Sequence, residues 1–309
     1  MRHIHGGSIL LEHLRTAGLP GGFLEWGEVL CQGPTPAGLA PEAWSAARGA
    51  FLGVSPERLA AQDRTLDAAA VAEDELVLWF GPELFCQAIL IALLARLDAL
   101  PDRRARISLV CIGSYPGVTD HGSCTVSHLD SAQLREVFAG RQEVTREQRD
   151  VARRAWEAWC APEPTDLARL ARTPLPALPF LQAALRRHLE EFPARGTGLS
   201  RNEGQVLAAL AGTEKTFGEL FPAVQRTEER RWLTDVMLQD LLSDLAGARV
   251  PLVAQAEERF RVTEAGRRVL AGTEDAVALN GIDRWIGGVH LTPDRCWRRE
   301  SRTGELRRG

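Results

Sequence analysis

Residues 74–97 read DELVLWFGPELFCQAILIALLARL, and the reading of this stretch decides the fold. Leu76, Val77, Leu78, Trp79 and Phe80 are too continuously apolar for a strand with one wet face. Gly81-Pro82-Glu83 breaks the run and opens a helix with Pro at its first positions. That helix is apolar nearly all round, with only Glu83, Gln87 and Arg96 to supply a wet side. A buried strand feeding a buried helix is one half of a strand–helix–strand crossover. The partner strand follows at Arg106-Ile107-Ser108-Leu109-Val110-Cys111-Ile112 and stops at Gly113.

Working outward from this unit, the N-terminal segment repeats the pattern on a smaller scale. Arg2-His3-Ile4-His5 reads as a strand, and Gly6-Gly7-Ser8 leads into a helix with Leu10, Leu11 and Leu14 on one face, ending at Gly18. Ser8 is the expected N-cap. Free backbone N–H groups at such a helix start hold a phosphate or carboxylate readily. Two adjacent glycines match neither the dinucleotide fingerprint nor the P-loop, and a tight strand-to-helix turn is the favoured account of them. Pro20-Gly21-Gly22 turns into a second strand, Phe23-Leu24-Glu25-Trp26. Gly33-Pro34 and Pro36 then hold an extended loop. Loops after strand C-termini are where open α/β sheets bind ligands. That rule would set Glu25, Glu28, Cys31 and Gln32 at one edge of a crevice. Helices are expected over 41–52 and 56–72. The loop from Gly113 to about Ser127 holds the single tyrosine, Tyr115, with His121 inside it and His128 just beyond, and is a candidate binding loop.

From Asp130 to Phe192 the pattern is helical, with helices expected over 130–138, 145–160, 165–171 and 179–192, and a linker at Arg195-Gly196-Thr197-Gly198. Beyond it, Ser200 with Glu203 forms a capping box. Three helices, starting near Ser200, Thr216 and Leu233, precede a hairpin from Val250–Val253 to Arg259–Val262, and a further helix covers 263–270. This is the layout of a winged helix-turn-helix. Its third helix carries Asp235, Asp240 and Asp244, which oppose a phosphate backbone, whereas a DNA-reading helix presents Arg, Lys, Asn or Gln. Arg226, Arg230, Arg231, Arg259 and Arg261 are the groups able to touch one. Asn280-Gly281 is a turn into a strand carrying Asp283, Arg284, Trp285 and His290, the densest set of chemically able side chains in the chain. The last arginines read as a frayed basic end. The fold expected is mixed α/β: an α/β domain with parallel strands over 1–128, a helical connector over 129–195, and a winged-helix-like domain with a C-terminal strand over 196–309.

The totals narrow the function classes. A chain of 309 residues has room for about two domains. Its 45% hydrophobic and 25% charged content is ordinary for a globular protein. A net charge of −4 argues against dominant attraction to nucleic acid or anionic membrane. All but one of the 37 basic residues are arginines, the exception being Lys215. The six cysteines form no C-x-x-C pair and have no His at zinc-ligand spacing. The first residues lack the apolar run of a signal peptide, and no apolar stretch approaches 18 residues. A soluble, reduced, cytoplasmic protein is expected.

Several stretches together resemble a bacterial family known as domain of unknown function 1835, with its usual C-terminal companion domain. They are H-I-H-G-G-S at 3–8, F-L-E-W at 23–26, C-Q-G-P at 31–34 and L-V-L-W-F-G-P-E-L-F-C-Q at 76–87. Further along are L-V-C-I-G-x-Y-P-G at 109–117, L-P-F-L-x-x-A-L-R-R-H-L-E-E-F-P at 178–193 and L-N-G-I-D-R-W-I-G-G-V-H-L at 279–291. Many members carry an acidic residue in the first glycine turn and Glu-His-Asp after the central Trp-Phe. This chain has Ser8-Ile9 and Gly81-Pro82-Glu83 there. The resemblance implies a fold organisation and a bacterial cytoplasmic setting, and no activity.

The function expected is an enzyme or a small-molecule or anion-binding protein using the loops at the strand C-termini. Ser8, Glu28, Cys31, Glu83 and His290 are the candidate catalytic residues. His5, Gly6, Gly7, Gln32, Gly81, Gln87, Tyr115, Asp283 and Arg284 are the candidate ligand contacts. Glu83 at a helix start suits a base or cation ligand, because the dipole favours its ionised form. Cys31 or Ser8 would act as nucleophile only with a histidine alongside, from His3, His5, His121 or His290. His3 and His5 share a strand face, but no third ligand is in view and no metal is assigned. The sequence names no cofactor. A small anionic ligand is the expected partner, nucleic acid is the less favoured one, no membrane is expected, and oligomeric state stays open. The alternatives are a ligand-responsive nucleic-acid-binding regulator and a protein-interaction module without chemistry.

Overall fold

A computed structural model describes residues 1–118 and 124–309, with Ser8 described through its backbone. His121 lies outside the described residues. The chain divides into two compact units, Met1–Leu185 with Gly287–Val289, and Arg186–Ile286 with His290–Gly309.

The first unit is built on β1 (Arg2–His5), β2 (Gly22–Glu25), β3 (Gly33–Pro34), β4 (Glu75–Trp79), β5 (Arg106–Val110) and β6 (Gln142–Glu143). Five of these form one sheet in the order β2-β1-β4-β5-β6. β1 runs parallel to both β2 and β4, β4 runs parallel to β5, and β6 alone is antiparallel. The α/β reading of residues 74–112 is thus the sheet's centre. Every residue of β4 is buried: the apolar run requires it of Leu76 to Trp79, and Glu75 is buried against Arg141 and Ser108. The helices are α1 (Ser8–Thr16), α2 (Pro41–Leu52), α3 (Pro56–Ala72), α4 (Leu84–Ala99), α5 (Ser131–Ala139), α6 (Arg146–Cys160) and α7 (Thr165–Leu170). α8 (Leu181–Leu189) carries the chain into the second unit.

Strand alternation assigns the two faces. Val77, Trp79 and Val110 point to one side, where Leu10 and Leu14 of α1 and Leu134 of α5 join them in a common core. His3 belongs to this face and is fully buried. Trp79 Nε1 donates to His3 Nδ1 at 3.0 Å, and the other ring nitrogen donates to the Pro20 carbonyl at 2.9 Å. α4 is buried on nearly every side and packs along α6, so it shows little amphipathic contrast. Of the connector expected over 129–195, residues 129–185 lie within this first unit. The segment Gly287–Val289 returns to it: Thr35 N–H donates to the Gly287 carbonyl at 3.0 Å, and Gly288 N–H to that of Trp159 at 2.8 Å.

The second unit contains α9 (Arg201–Leu210), β7 (Lys215–Thr216), α10 (Phe217–Gln225), α11 (Asp235–Gly247), β8 (Val253–Ala256), β9 (Arg259–Val262), α12 (Glu264–Leu270) and α13 (Ala276–Asn280). β7, β9 and β8 form an antiparallel sheet in that order. β10 (Arg284–Gly287) and β11 (Val289–Leu291) follow. The arginine-rich end is not frayed: β12 (Trp297–Arg299) pairs antiparallel with β13 (Leu306–Arg308). Arg298 adds a two-pronged ion pair to Asp275, at 3.1 Å for each contact.

Candidate functional site

The sheet order reverses between β1 and β4: the chain steps from β1 outward to β2, then crosses back to β4 on the other side. Such a switch point opens a crevice at the strand C-termini, here residues 5–7 and 80–83. Gly6 lines its floor, and a Cβ there would touch Ile89, Phe80 and Phe85 at 3.4–3.5 Å. Gly27 packs directly on the Gly6 carbonyl, where a Cβ would intrude to 2.5 Å. The glycine turn is therefore held in place from beneath.

His5 closes β1 at this point and is fully buried. Its Nδ1 lies 3.0 Å from the Gly7 carbonyl, which can only accept, so Nδ1 carries the proton. Nε2 is then a lone pair, buried, with no hydrogen-bond partner. Burial pushes the imidazole below its ordinary pKa. The Gly7 carbonyl and Glu25 oppose that shift, while Arg15 and His3 reinforce it. Gly7 itself, not Ser8, is the N-cap of α1, and Ser8 is the first helical residue. The cap has extended dihedrals (φ −175°, ψ 156°), no side chain caps the helix, and no acidic residue occupies its first turn.

Across the crevice, Glu83 caps α4 without bonding the helix amides through its side chain. Its carboxylate folds back over Gly81. A Cβ on Gly81 would lie 2.1 Å from Glu83 Oε2 and 2.3 Å from Thr125 Oγ1. Gln87 Nε2 donates to the Gly81 carbonyl at 2.7 Å and also meets Cys111 Sγ at 3.6 Å. Burial, and then the Glu83 charge, push the Cys86 thiol well above the ordinary range. Glu83, Cys86, Gln87 and Cys111 thus form one polar group at the ends of β4 and β5. Among them, Gly81, Glu83 and Gln87 were legible from the sequence, while Cys86, Cys111 and Thr125 were not singled out for the site. Their spacing is uninformative: the two cysteines are 25 positions apart, and adjacent strand and helix ends bring them together.

The loop after β2 is a different matter. Arg48, on α2, is fully buried and donates to Glu28 at 2.5 Å, to the Val29 and Gln32 carbonyls at 2.7 Å, and to the Pro34 carbonyl at 3.3 Å. Glu28 is therefore the counter-ion of a structural clamp rather than a free base, although burial, outweighing Arg48, raises its pKa. Gln32 contributes its carbonyl to the same clamp. Cys31 is buried in the clamped loop at 4% exposure, and its position there suits packing. Arg48 escaped sequence reasoning because a single arginine in a helix reads as a surface charge.

The remaining candidates lie elsewhere. Tyr115 packs against the α1-side core, and its hydroxyl donates to Glu136 at 2.5 Å. In the second unit, His290 Nε2 donates to Asp283 at 2.6 Å, and its ring stacks on Trp285 with centroids 4.4 Å apart. Arg284 is not part of that pair; it is paired with Glu203 of α9. Asp283 is 85% exposed and His290 about one third. Among the described residues, no group of three His, Cys, Asp or Glu side chains is arranged to hold a metal ion, and no helix is long and apolar enough to cross a membrane. His3 spends both ring nitrogens inside the core, so it does not join His5 in a metal pair.

Compared with known proteins, the chain matches no protein-family model and no curated protein.

Proposed function

We propose that this chain is an enzyme or small-molecule-binding protein whose ligand enters at the C-terminal ends of β1 and β4. The observation that carries the reading is the buried, unpartnered Nε2 of His5 at the point where the strand order reverses. Leaving a buried polar nitrogen unpaired costs about 1–3 kcal/mol, and a ligand donor removes that cost. Glu83 and Gln87 supply further polar contacts across the crevice. The motifs at 3–8, 76–87 and 279–291 support kinship with domain of unknown function 1835 and, through it, a bacterial cytoplasmic setting.

The test is hydrogen exchange on the full chain with and without compounds chosen by thermal shift from nucleotides, phosphorylated metabolites and divalent metals. A ligand at a hundred times its dissociation constant stabilises by about 2.7 kcal/mol. Protection is expected at residues 5–11 and 80–87. Protection confined to 200–309 would overturn the reading.

A second reading rests on the β7-β9-β8 order with α9, α10 and α11, which supports a winged-helix-like second unit. The exposed side of α11 carries Asp235, Val236, Gln239, Asp240 and Ser243, which disfavours a phosphate backbone and favours a protein partner. Binding of the full chain to a short DNA duplex at low salt would reverse that preference.

A further inference from the structure

Neither helix start at the crevice has a side-chain cap bond, but that of α1 also lacks a carboxylate, and a buried imidazole rests on its N-cap residue. We propose that the first turn of α1 and His5 form a seat for a phosphoryl group, which His5 binds as the imidazolium after taking a proton from solvent. The proposal rests on the crevice reading above and names its ligand class.

Three observations converge. The N-terminal amides of α1 point out of the helix without a capping side chain or a first-turn carboxylate, so both their donors and the positive end of the dipole are unspent. α4 differs, because Glu83 already lays its own carboxylate over Gly81 at that helix start. An incoming anion is therefore repelled from α4 and directed to α1. His5 supplies the second observation. Its ring is fixed by Gly7, the N-cap itself, and its free nitrogen is buried without a partner. A neutral imidazole offers an anion only a lone pair. Binding a tetrahedral dianion therefore requires Nε2 to take up a proton from solvent, which it then donates to one of the anion's oxygens while helix amides serve the others.

The third observation is Gly7. Its φ of −175° is open to any residue, and nothing lies within 4 Å of where its Cβ would stand. Neither conformation nor packing demands glycine there. The space that a Gly7 side chain would take is open. Ile9, 70% exposed on the same first turn, offers an apolar contact to the organic part of a phosphorylated ligand.

The charges around His5 define the pH response. Glu25 at the end of β2 favours the imidazolium, while Arg15 on α1 and His3 on β1 oppose it. Trp79, its register partner on β4, does not titrate. In the free protein His5 is neutral at pH 7, so binding is accompanied by proton uptake and weakens as pH rises.

Isothermal titration of the full chain with sodium sulfate tests this, because sulfate keeps its charge between pH 5 and 9; inorganic phosphate and acetate are run beside it. Each titration is repeated in two buffers of different ionisation enthalpy. The expected result is sulfate and phosphate binding with uptake of up to one proton, and an affinity falling by up to about tenfold per pH unit. His5→Gln removes the proton uptake. Gly7→Asp puts a carboxylate on the seat, so it abolishes binding while the melting midpoint holds or rises. Sulfate binding without proton uptake, or undiminished in Gly7→Asp, overturns the proposal. So does binding of acetate but neither tetrahedral anion. Crevice binding confined to uncharged compounds overturns the phosphoryl seat and leaves the crevice reading intact; failure of every compound to protect residues 5–11 and 80–87 overturns both.

Discussion

Replacing Arg48 with methionine tests whether the loop after β2 is a structural clamp. The guanidinium is fully buried and serves one carboxylate and three carbonyls. Methionine restores most of the volume but leaves Glu28 as a buried carboxylate without a counter-charge. Breaking a buried ion pair from one side costs about 3–5 kcal/mol. Each orphaned carbonyl adds up to about 1–3 kcal/mol where water cannot reach it. These terms are not additive, so a loss of about 3–5 kcal/mol at pH 7 is the expected floor. The pH dependence carries the sign. Without Arg48 the Glu28 carboxyl loses the partner that lowers its pKa, so in the folded variant it lies above its unfolded value. The variant's stability is then fully present below the unfolded Glu pKa of about 4.3 and is lost as pH rises through the folded one. Urea unfolding followed by tryptophan fluorescence at pH 4.5, 6 and 8 measures both effects, with Trp26 as a buried reporter at the head of the loop. Adding Glu28→Gln to the variant recovers stability at pH 8 and little at pH 4.5. A loss under about 1 kcal/mol, or one independent of pH, refutes the clamp.

Other predictions follow from single groups. Burial pushes His3, His5 and His188 below their ordinary pKa, His188 to about 3. The unfolded chain protonates these groups near pH 6.5, so their stability is present above that value and is lost as pH falls toward the folded pKa, at up to about 1.4 kcal/mol per pH unit each. Urea midpoints between pH 7 and 5 check this, since the carboxylates with lowered pKa titrate below that window; a flat profile would count against it. Cys86, pushed up by burial and by Glu83, is expected to react with iodoacetamide far more slowly in the native chain than in urea, read by peptide mass. Equal rates would contradict its described surroundings. Gly288→Ala drives a Cβ to 1.8 Å from the Cys160 carbonyl and is expected to cost about 1–3 kcal/mol. An unchanged urea midpoint would mean that Gly288 does not dock as described.

The sheet's centre was legible because its information is local. An apolar run of five residues from Leu76 to Phe80, a Gly-Pro break and an all-round apolar α4 can only be buried together, and the backbone periodicities say so without knowledge of partners. The capping box at Ser200 and the helix start at Thr216 are local in the same way, and both helices start where those residues stand. Pairings between distant side chains were not legible. Glu28, Gln32 and Cys31 look like crevice residues until Arg48, sixteen to twenty positions later, is seen beneath them. Arg284 looks like one of a set with Asp283 and His290 until Glu203, 81 residues away, takes it. Sequence alone determined that a parallel α/β sheet with glycine-lined strand ends would exist. Tertiary structure decided which of the groups near those ends are spent on the fold and which, as at His5 Nε2, are left with unsatisfied hydrogen-bonding capacity. Periodicity reports only which face of an element is buried. What a buried polar atom bonds to depends on the few ångströms separating elements far apart in the chain.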